Sequence, residues 1–194
     1  MPAIRSVAVF CGSRDGADPA FRAAATALGQ GLAQAGIRLV YGGAQIGLMG
    51  AVADAVLAAG GQVVGVIPEF LTRREVIHQH TSEMIVTDSM HTRKQRMFAL
   101  SDAFVVFAGG LGTLDETFEI LTWRQLGLHD KLILLSDVGG CAAPLVALIE
   151  AVIAAGFADA SARALYEVVA DVPALLARLA AAPVAAAPDD VTRL

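Results

Sequence analysis

The chain has 194 residues, of which 56% are hydrophobic and 17% are charged, and its net charge is -5. This length suits one buried domain, and an acidic chain with no basic run argues against a nucleic-acid polymer as a partner. Charged residues and glycine pairs interrupt the apolar stretches, so no run of roughly 20 apolar residues could cross a bilayer. The start of the chain has too short an apolar core for a secretory signal, and we expect a cytoplasmic protein with no membrane partner.

Runs of β-branched residues alternate with stretches rich in alanine and leucine, which is the pattern of successive βαβ units. The apolar composition favours a parallel sheet that is buried under helices. We therefore predict an α/β, Rossmann-like fold, an open and mostly parallel sheet with helices on both faces. In chain order, the pattern predicts strands over 6–11, 38–41, 62–67, 84–86, 103–107, 131–135 and 166–169. It predicts helices over 19–35, 48–59, 92–100, 113–126, 144–155 and 173–180.

The last residues, AAPVAAAPDDVTRL, contain two prolines and few side chains that could be buried. Such a composition is typical of a poorly ordered terminus. We therefore expect a single domain over 1–180 and a flexible tail over 181–194.

One local arrangement occurs three times, namely a strand, a turn of small residues and a helix. The three segments read VAVFCGSRDG, LVYGGAQIGLMG and FVVFAGGLGT. In an open parallel sheet these turns share one edge, at the carboxyl ends of the strands, where ligands bind. Ser13 in the first turn and Gly42 and Gly43 in the second are therefore expected to line one crevice together with the third turn.

The third turn, residues 108–113 with the sequence AGGLGT, is called the glycine turn below. Gly109, Gly110 and Gly112 would present N–H groups to an anion, and the Thr113 hydroxyl would either cap the next helix or bind that anion. A tight turn without a ligand is the alternative. The dinucleotide fingerprint fits poorly, because this turn lies past mid-chain and has Asp115 in place of the third glycine. No GK[ST] follows, so a monophosphate fits better than a pyrophosphate.

Charged side chains flank the glycine turn in sequence. Arg93 and Lys94, in the segment MHTRK, are two adjacent cations at a predicted helix start, where they would either meet an anion or form a solvated helix face. Glu116 lies one turn into the helix after the glycine turn. The helix dipole alone explains an acid there, and it explains Asp115 and Glu119 equally well. Alternatively, Glu116 faces the anomeric carbon of a ribose whose 5'-phosphate binds the glycine turn.

Taken together, these segments resemble the LONELY GUY family of cytokinin riboside 5'-monophosphate phosphoribohydrolases, whose pattern is PGGxGTxxE preceded by MHxRK. The similar segments cover most of residues 6–135 and are FCGS, VYGGAQIGLMG, GQVVGVIP, MHTRK, SDAFVVFAGGLGTLDE and TWRQLGLHDK. The resemblance implies a Rossmann-like, usually dimeric enzyme that hydrolyses the N-glycosidic bond of an N6-modified AMP. Its products would be a free base and ribose 5-phosphate. No cofactor and no metal are expected.

The resemblance also implies roles for particular residues. The catalytic pair of the family falls on Arg93 and Glu116. The substrate-binding positions fall on Glu75, Lys94, Gly110, Leu111, Gly112, Thr113, Leu114, Asp115 and Thr122, and we add Gly109 as a further amide donor. The chain departs from the family where Ala108 replaces a proline and where KLILLSDVGGCAAP replaces KPVxLLNxxGYY. We expect this second segment to shape the base pocket or a subunit contact.

These residues suggest a mechanism. Cleavage of a ribosidic bond passes through an oxocarbenium-like state. The Glu116 carboxylate could stabilise the positive charge of that state, or it could activate the attacking water. Arg93 could offset the charge of the departing purine, or hold the phosphate and orient Glu116. Three alternatives stay open: a general nucleosidase for AMP and other purine 5'-monophosphates, a nucleotide-binding module without turnover, and an NAD-dependent oxidoreductase, which the missing fingerprint disfavours.

Overall fold

The computed structural model describes residues 3–72 and 77–185. Its strands are β1 Ser6–Phe10, β2 Arg38–Tyr41, β3 Val63–Pro68, β4 Glu83–Thr87, β5 Ala103–Val106, β6 Leu132–Ser136 and β7 Glu167–Val169. They form one seven-stranded sheet in the order β4-β3-β2-β1-β5-β6-β7, and every neighbouring pair is parallel. The predicted α/β fold with an open parallel sheet is confirmed.

The helices are α1 Pro19–Gln34, α2 Gly47–Ala58, α3 Glu69–Thr72, α4 Met90–Ala99, α5 Leu111–Gln125, α6 Ala143–Ala154 and α7 Val172–Ala181. Two 3₁₀ segments cover Val138–Gly140 and Ala160–Leu165. Each predicted strand and helix has a counterpart, with bounds that differ by no more than two residues. The sequence did not predict α3 or the 3₁₀ segments, because one or two turns are too short to show a helical period.

Apolar side chains on both faces of the sheet explain why the strands read as continuous apolar runs. In β1, Val7 and Val9 pack in one core with α1, α2 and α7. Ala8 and Phe10 point to the other side, where they share a core with α4, α5 and α6. Both faces are therefore covered by helices. Within the described residues, no helix has the length and apolar character needed to cross a membrane.

The strand order reverses between β1 and β5. From β1 the chain moves outward through β2 and β3 to β4, and it then returns to place β5 on the other side of β1. Ligands of open α/β sheets bind at such a switch point, outside the carboxyl ends of the strands. Here the Gly12 N–H donates to the Ala108 carbonyl at 2.9 Å, and the Met49 N–H donates to the Gly12 carbonyl at 3.2 Å. These bonds join the turn after β1 to the glycine turn and to the start of α2.

The chain remains packed beyond the predicted domain boundary at residue 180. Helix α7 extends to Ala181, the Ala182 side chain is buried, and Pro183 forms an antiparallel bridge with Ala3. The first residues of the predicted tail therefore contact the amino-terminal segment. Residues 186–194 lie outside the described residues.

Candidate active site

A cavity of about 670 Å³ lies over the carboxyl ends of β1, β5 and β6. The turn after β1 forms one wall and the glycine turn forms another, while residues around the start of α6 line the far side. Of the predicted binding residues, those that line this cavity are Ser13, Gly109, Gly110, Leu111, Thr113 and Leu114. Its position at the switch point of the sheet makes it a candidate ligand site.

Helix α5 begins at Leu111, two residues before the predicted start, because Gly110 is its N-cap. Thr113 therefore lies within the first turn, and no side chain caps this helix. Of the two roles predicted for the Thr113 hydroxyl, the helix cap is wrong, and the contact with an anion stays a prediction. The first amides of α5 have no acceptor inside the helix, and this leaves them suited to an anion. A Cβ atom on Gly109 would clash with the Thr113 side chain, so that glycine permits the close approach of the turn to the helix.

Arg93 lies in the first turn of α4, which the Ser89 side chain caps, and its side chain is buried. The Arg93 Nε donates to the Val66 carbonyl at 3.0 Å. A Cβ atom on Gly42 would clash with the Arg93 Nη2, so the guanidinium lies against that glycine. Gly43 has a φ of +82°, and Met84 side-chain atoms surround its Cβ position. Gly42 and Gly43 do not line the cavity; they make room for Arg93 and for the core.

Glu116, in the second turn of α5, is also buried. The Arg93 Nη2 lies 3.7 Å from the Glu116 Oε1, which is an ion pair too long for a direct hydrogen bond. Burial raises the pKa of Glu116 to about 7, although the positive charge of Arg93 acts in the opposite direction. A carboxyl group with a pKa near neutrality can exchange protons at physiological pH, as a catalytic acid or base must.

Lys94 follows Arg93 on α4 but is directed to a different set of partners. Its Nζ lies 3.2 Å from the Asp115 Oδ2 and 3.0 Å from the Glu119 Oε1. Lys94 therefore connects α4 to α5, and both it and Asp115 are engaged within the protein. The pKa of Lys94 is raised by these two carboxylates, against the effect of its partial burial.

The remaining predicted residues do not converge on the cavity. The exposed Thr122 hydroxyl donates to the Phe118 carbonyl at 2.7 Å, and Gly112 is exposed with open space around its Cβ position. Arg93 and Glu116 do not line the cavity either, although Glu116 is one helical turn beyond Thr113, which does. Glu75 lies outside the described residues. The candidate site thus has two parts, the cavity with the glycine turn and the neighbouring Arg93–Glu116 pair.

The polar cavity residues that were not predicted include Arg14 and Ser136. Arg14 directly follows Ser13 in the first turn, and that position was the available signal. Ser136 ends β6, which the sequence does not mark as a ligand-binding strand.

The pattern His-Gln-His at 78–80 was not predicted as a site either, and both ring nitrogens of His78 have hydrogen-bond partners. Its Nε2 lies 2.9 Å from the Asp54 Oδ1, and its Nδ1 accepts from the His80 N–H at 3.2 Å.

Comparisons with known proteins agree with the motifs. The family model described as "possible lysine decarboxylase" matches residues 49–179. A probable cytokinin riboside 5'-monophosphate phosphoribohydrolase of Oryza sativa subsp. japonica is 44% identical over 90% of this chain and 77% of that protein. The cytokinin riboside 5'-monophosphate phosphoribohydrolase of Rhodococcoides fascians is 41% identical over 92% of this chain and 90% of that protein.

Among solved structures, the molybdenum cofactor carrier protein of Chlamydomonas reinhardtii has a TM-score of 0.67 at 23% identity. The alignment covers 90% of this chain and 95% of that one, and it shows a shared fold alone. The family is shown by the sequence matches, which extend over most of the chain and include the glycine turn and the MHTRK segment. The chain belongs to the LONELY GUY family, as its motifs predicted.

Proposed function

We propose that this protein is a phosphoribohydrolase that cleaves the N-glycosidic bond of cytokinin riboside 5'-monophosphates, which are AMP derivatives with an N6 substituent. The products are the free base and ribose 5-phosphate. The main support for the proposal is the buried ion pair of Arg93 and Glu116. Glu116 lies about one helical turn beyond the first amides of α5, which no side chain caps. The two sequence relatives whose names describe this activity support it.

The glycine turn is the proposed phosphate site. Its amides at the start of α5 combine unsatisfied N–H groups with the positive end of the helix dipole. A phosphate bound there places the ribose within one helical turn of Glu116. This spacing suits a carboxylate that acts on the sugar rather than on the phosphate.

Glu116 is the proposed group that meets the anomeric carbon. In its ionised form it stabilises the positive charge of the oxocarbenium-like state and takes a proton from the attacking water. A guanidinium group is a poor proton donor in proteins, so Arg93 is not assigned that role. Its fixed charge, 3.7 Å from Glu116, favours the ionised carboxylate and offsets negative charge on the departing purine.

The two lysines of the chain argue against the decarboxylase chemistry that the family description names. A pyridoxal phosphate enzyme needs a lysine amine at its site for the Schiff base. Lys94 is paired with Asp115 and Glu119. Lys131 is buried at the start of β6, at the opposite end of the strand from the cavity, where its Nζ donates to the Phe98 carbonyl at 2.7 Å. Neither amine lines the cavity.

We also propose a homodimer located in the cytoplasm. Three large apolar side chains are exposed on α5 and at its C-cap, namely Leu111, Phe118 and Leu126, of which Leu111 is 86% and Leu126 is 68% exposed. Leu111 and Phe118 are seven residues apart, which places them on one side of α5, and Leu111 also lines the cavity. An apolar strip of this kind is a common mark of a protein interface, and the family resemblance implies dimers.

The proposal is tested by incubating purified protein with isopentenyl-AMP and with AMP and measuring free base and ribose 5-phosphate by chromatography. We expect both products in equal amounts from isopentenyl-AMP, and a lower rate with AMP. Equal or faster release from AMP and other purine 5'-monophosphates would identify a general nucleosidase. Binding without release would leave a nucleotide-binding module, and the hydrolase proposal would fail.

A further inference from the structure

A nucleotide 5'-phosphate carries up to two negative charges, and the two cations that the motifs assign to the site are already engaged. Arg93 donates its Nε to the Val66 carbonyl and faces Glu116 with its Nη2. Lys94 is paired with two carboxylates of α5. Because charge-assisted hydrogen bonds contribute much of the affinity for phosphate, a further cation is expected beside the glycine turn.

Arg14 meets this requirement. It lines the same cavity as Gly109, Gly110 and Leu111, and it is the one cation among the described residues that line it. Its guanidinium makes no ion pair or hydrogen bond to any side chain or carbonyl in the described part of the chain. The acidic neighbour, Asp15, is paired instead with the Arg22 Nη1 at 2.7 Å.

The backbone at Arg14 is held in place from two sides. Gly12 is hydrogen-bonded to Ala108 of the glycine turn at 2.9 Å. Gly47, with a φ of +58°, packs so closely on Ser13 and Arg14 that a Cβ atom there would clash with their backbone. Arg14 is exposed, but its backbone is fixed relative to the glycine turn.

Ser136 is another polar residue of the cavity lining. It is 1% exposed, and its hydroxyl has no hydrogen-bond partner among the described residues. Ser136 follows Leu135, which is in register with Val106 of β5, so it stands beside the residues that lead into the glycine turn. A buried hydroxyl without a partner costs free energy, which a ligand oxygen in the cavity would recover.

We propose that Arg14 binds the 5'-phosphate of the substrate from across the cavity, opposite the amides of α5, with the Ser136 hydroxyl as an additional hydrogen-bond donor. This assignment rests on the proposed function, which supplies the nucleotide 5'-monophosphate. The site then surrounds the phosphate with a guanidinium, a hydroxyl and backbone amides. Because Arg14 is exposed at the rim, its contribution depends on salt concentration.

The test is calorimetric titration of the full chain with ribose 5-phosphate. We expect Arg14→Ala to weaken binding about 10- to 100-fold, since it removes a charge-assisted contact. Arg14→Lys should recover part of that loss, and Ser136→Ala should weaken binding less than Arg14→Ala does. Raising the salt concentration should weaken wild-type binding more than it weakens binding to Arg14→Ala.

The matched control is Arg163→Ala, which removes the same charge from an exposed arginine that pairs with Glu150. We expect it to bind ribose 5-phosphate as the wild type does. Wild-type affinity in Arg14→Ala, or an equal loss in Arg163→Ala, would overturn the assignment, as would a wild-type protein that does not bind ribose 5-phosphate. Base release measured on the same samples separates the two proposals. Turnover with an unchanged KM in Arg14→Ala refutes only the role of Arg14, whereas Arg14-dependent binding without turnover refutes only the hydrolase.

Discussion

Burial raises the pKa of the Glu116 carboxyl to about 7, and the nearby Arg93 charge acts to lower it. If the ionised form is active, kcat/KM should rise with pH through about 7 and then level off. Replacing Arg93 by Met removes the charge that favours ionisation, so any residual activity should have its rise at higher pH. The pH dependence of kcat/KM, measured with isopentenyl-AMP as substrate for the wild type and for Arg93→Met, tests both expectations. A flat profile between about pH 5.5 and 8.5 would contradict this role for the carboxylate.

The same shift makes stability depend on pH. The folded-state pKa of Glu116 lies above the ordinary value of 4.5, so the folded protein binds this proton more tightly than the unfolded chain does. The contribution to stability is therefore fully present below about pH 4.5 and is lost as pH rises to about 7. Over that window the loss is on the order of 3 kcal/mol, at 1.36 kcal/mol per pKa unit.

Glu116→Gln does not titrate, so it lacks this pH-dependent loss. Thermal or urea unfolding should show that Glu116→Gln gains stability relative to the wild type between pH 5 and pH 8. A stability difference that stays constant over this range would show that the carboxyl is ionised at both pH values in the folded protein.

Among the secondary-structure elements, the connection between β5 and α5 determines the shape of the proposed phosphate site. A Cβ atom at Gly109 would clash with Thr113, whereas one at Gly110 meets no atom within 4 Å. Gly109→Ala should therefore destabilise the protein by about 1–3 kcal/mol, in the range typical of overpacking. Gly110→Ala should fold with nearly wild-type stability but raise the KM, because its methyl group would stand where the ligand approaches.

Urea denaturation and steady-state kinetics of the two alanine variants test this contrast. Each variant adds one methyl group to adjacent positions of the same turn, so each serves as the control for the other. Equal stability of the two variants would show that the turn adjusts to the clash. An unchanged KM in Gly110→Ala would place the phosphate elsewhere.

The sequence predicted these elements well because strands and helices differ in period and because glycine marks the turns. It placed the start of α5 two residues late, since Gly110 as N-cap has no side chain that signals the boundary. Lys94 was predicted to bind substrate, but its pairing with Asp115 and Glu119 depends on how α4 packs on α5. Neither the hydrophobic pattern nor the spacing of the motifs indicates how these two helices pack.

At the scale of the whole molecule, the sheet order brings together residues that are far apart in the chain. Arg93 and Glu116 lie on separate helices, and only the family resemblance linked them before their 3.7 Å contact was seen. Arg14 and Ser136 share a cavity because β1 and β6 both neighbour β5. The hydrophobic pattern of one sequence gives strand positions but not strand order, so such pairs could not be predicted.

The proposed dimer is also a property of the whole molecule. Light scattering after size exclusion should give about 40 kDa, twice the 20.0 kDa of one chain. Phe118→Asp would bury a charge in the interface and should shift the mass towards that of the monomer. Phe157→Asp removes another exposed phenylalanine, outside α5, and should leave the dimer intact. A wild-type mass near 20 kDa, or a dimer that tolerates Phe118→Asp, would contradict the α5 interface.

The role of Glu116 as the catalytic carboxylate is tested most directly by base release from isopentenyl-AMP, compared between the wild type and Glu116→Gln, with nucleotide binding measured on the same samples. We expect release by the wild type and at least about a 100-fold lower rate in the variant, in line with the loss of a general base. Nucleotide affinity should change little, because the phosphate contacts remain. A variant that turns over at nearly the wild-type rate would contradict the assignment of Glu116 as the catalytic carboxylate.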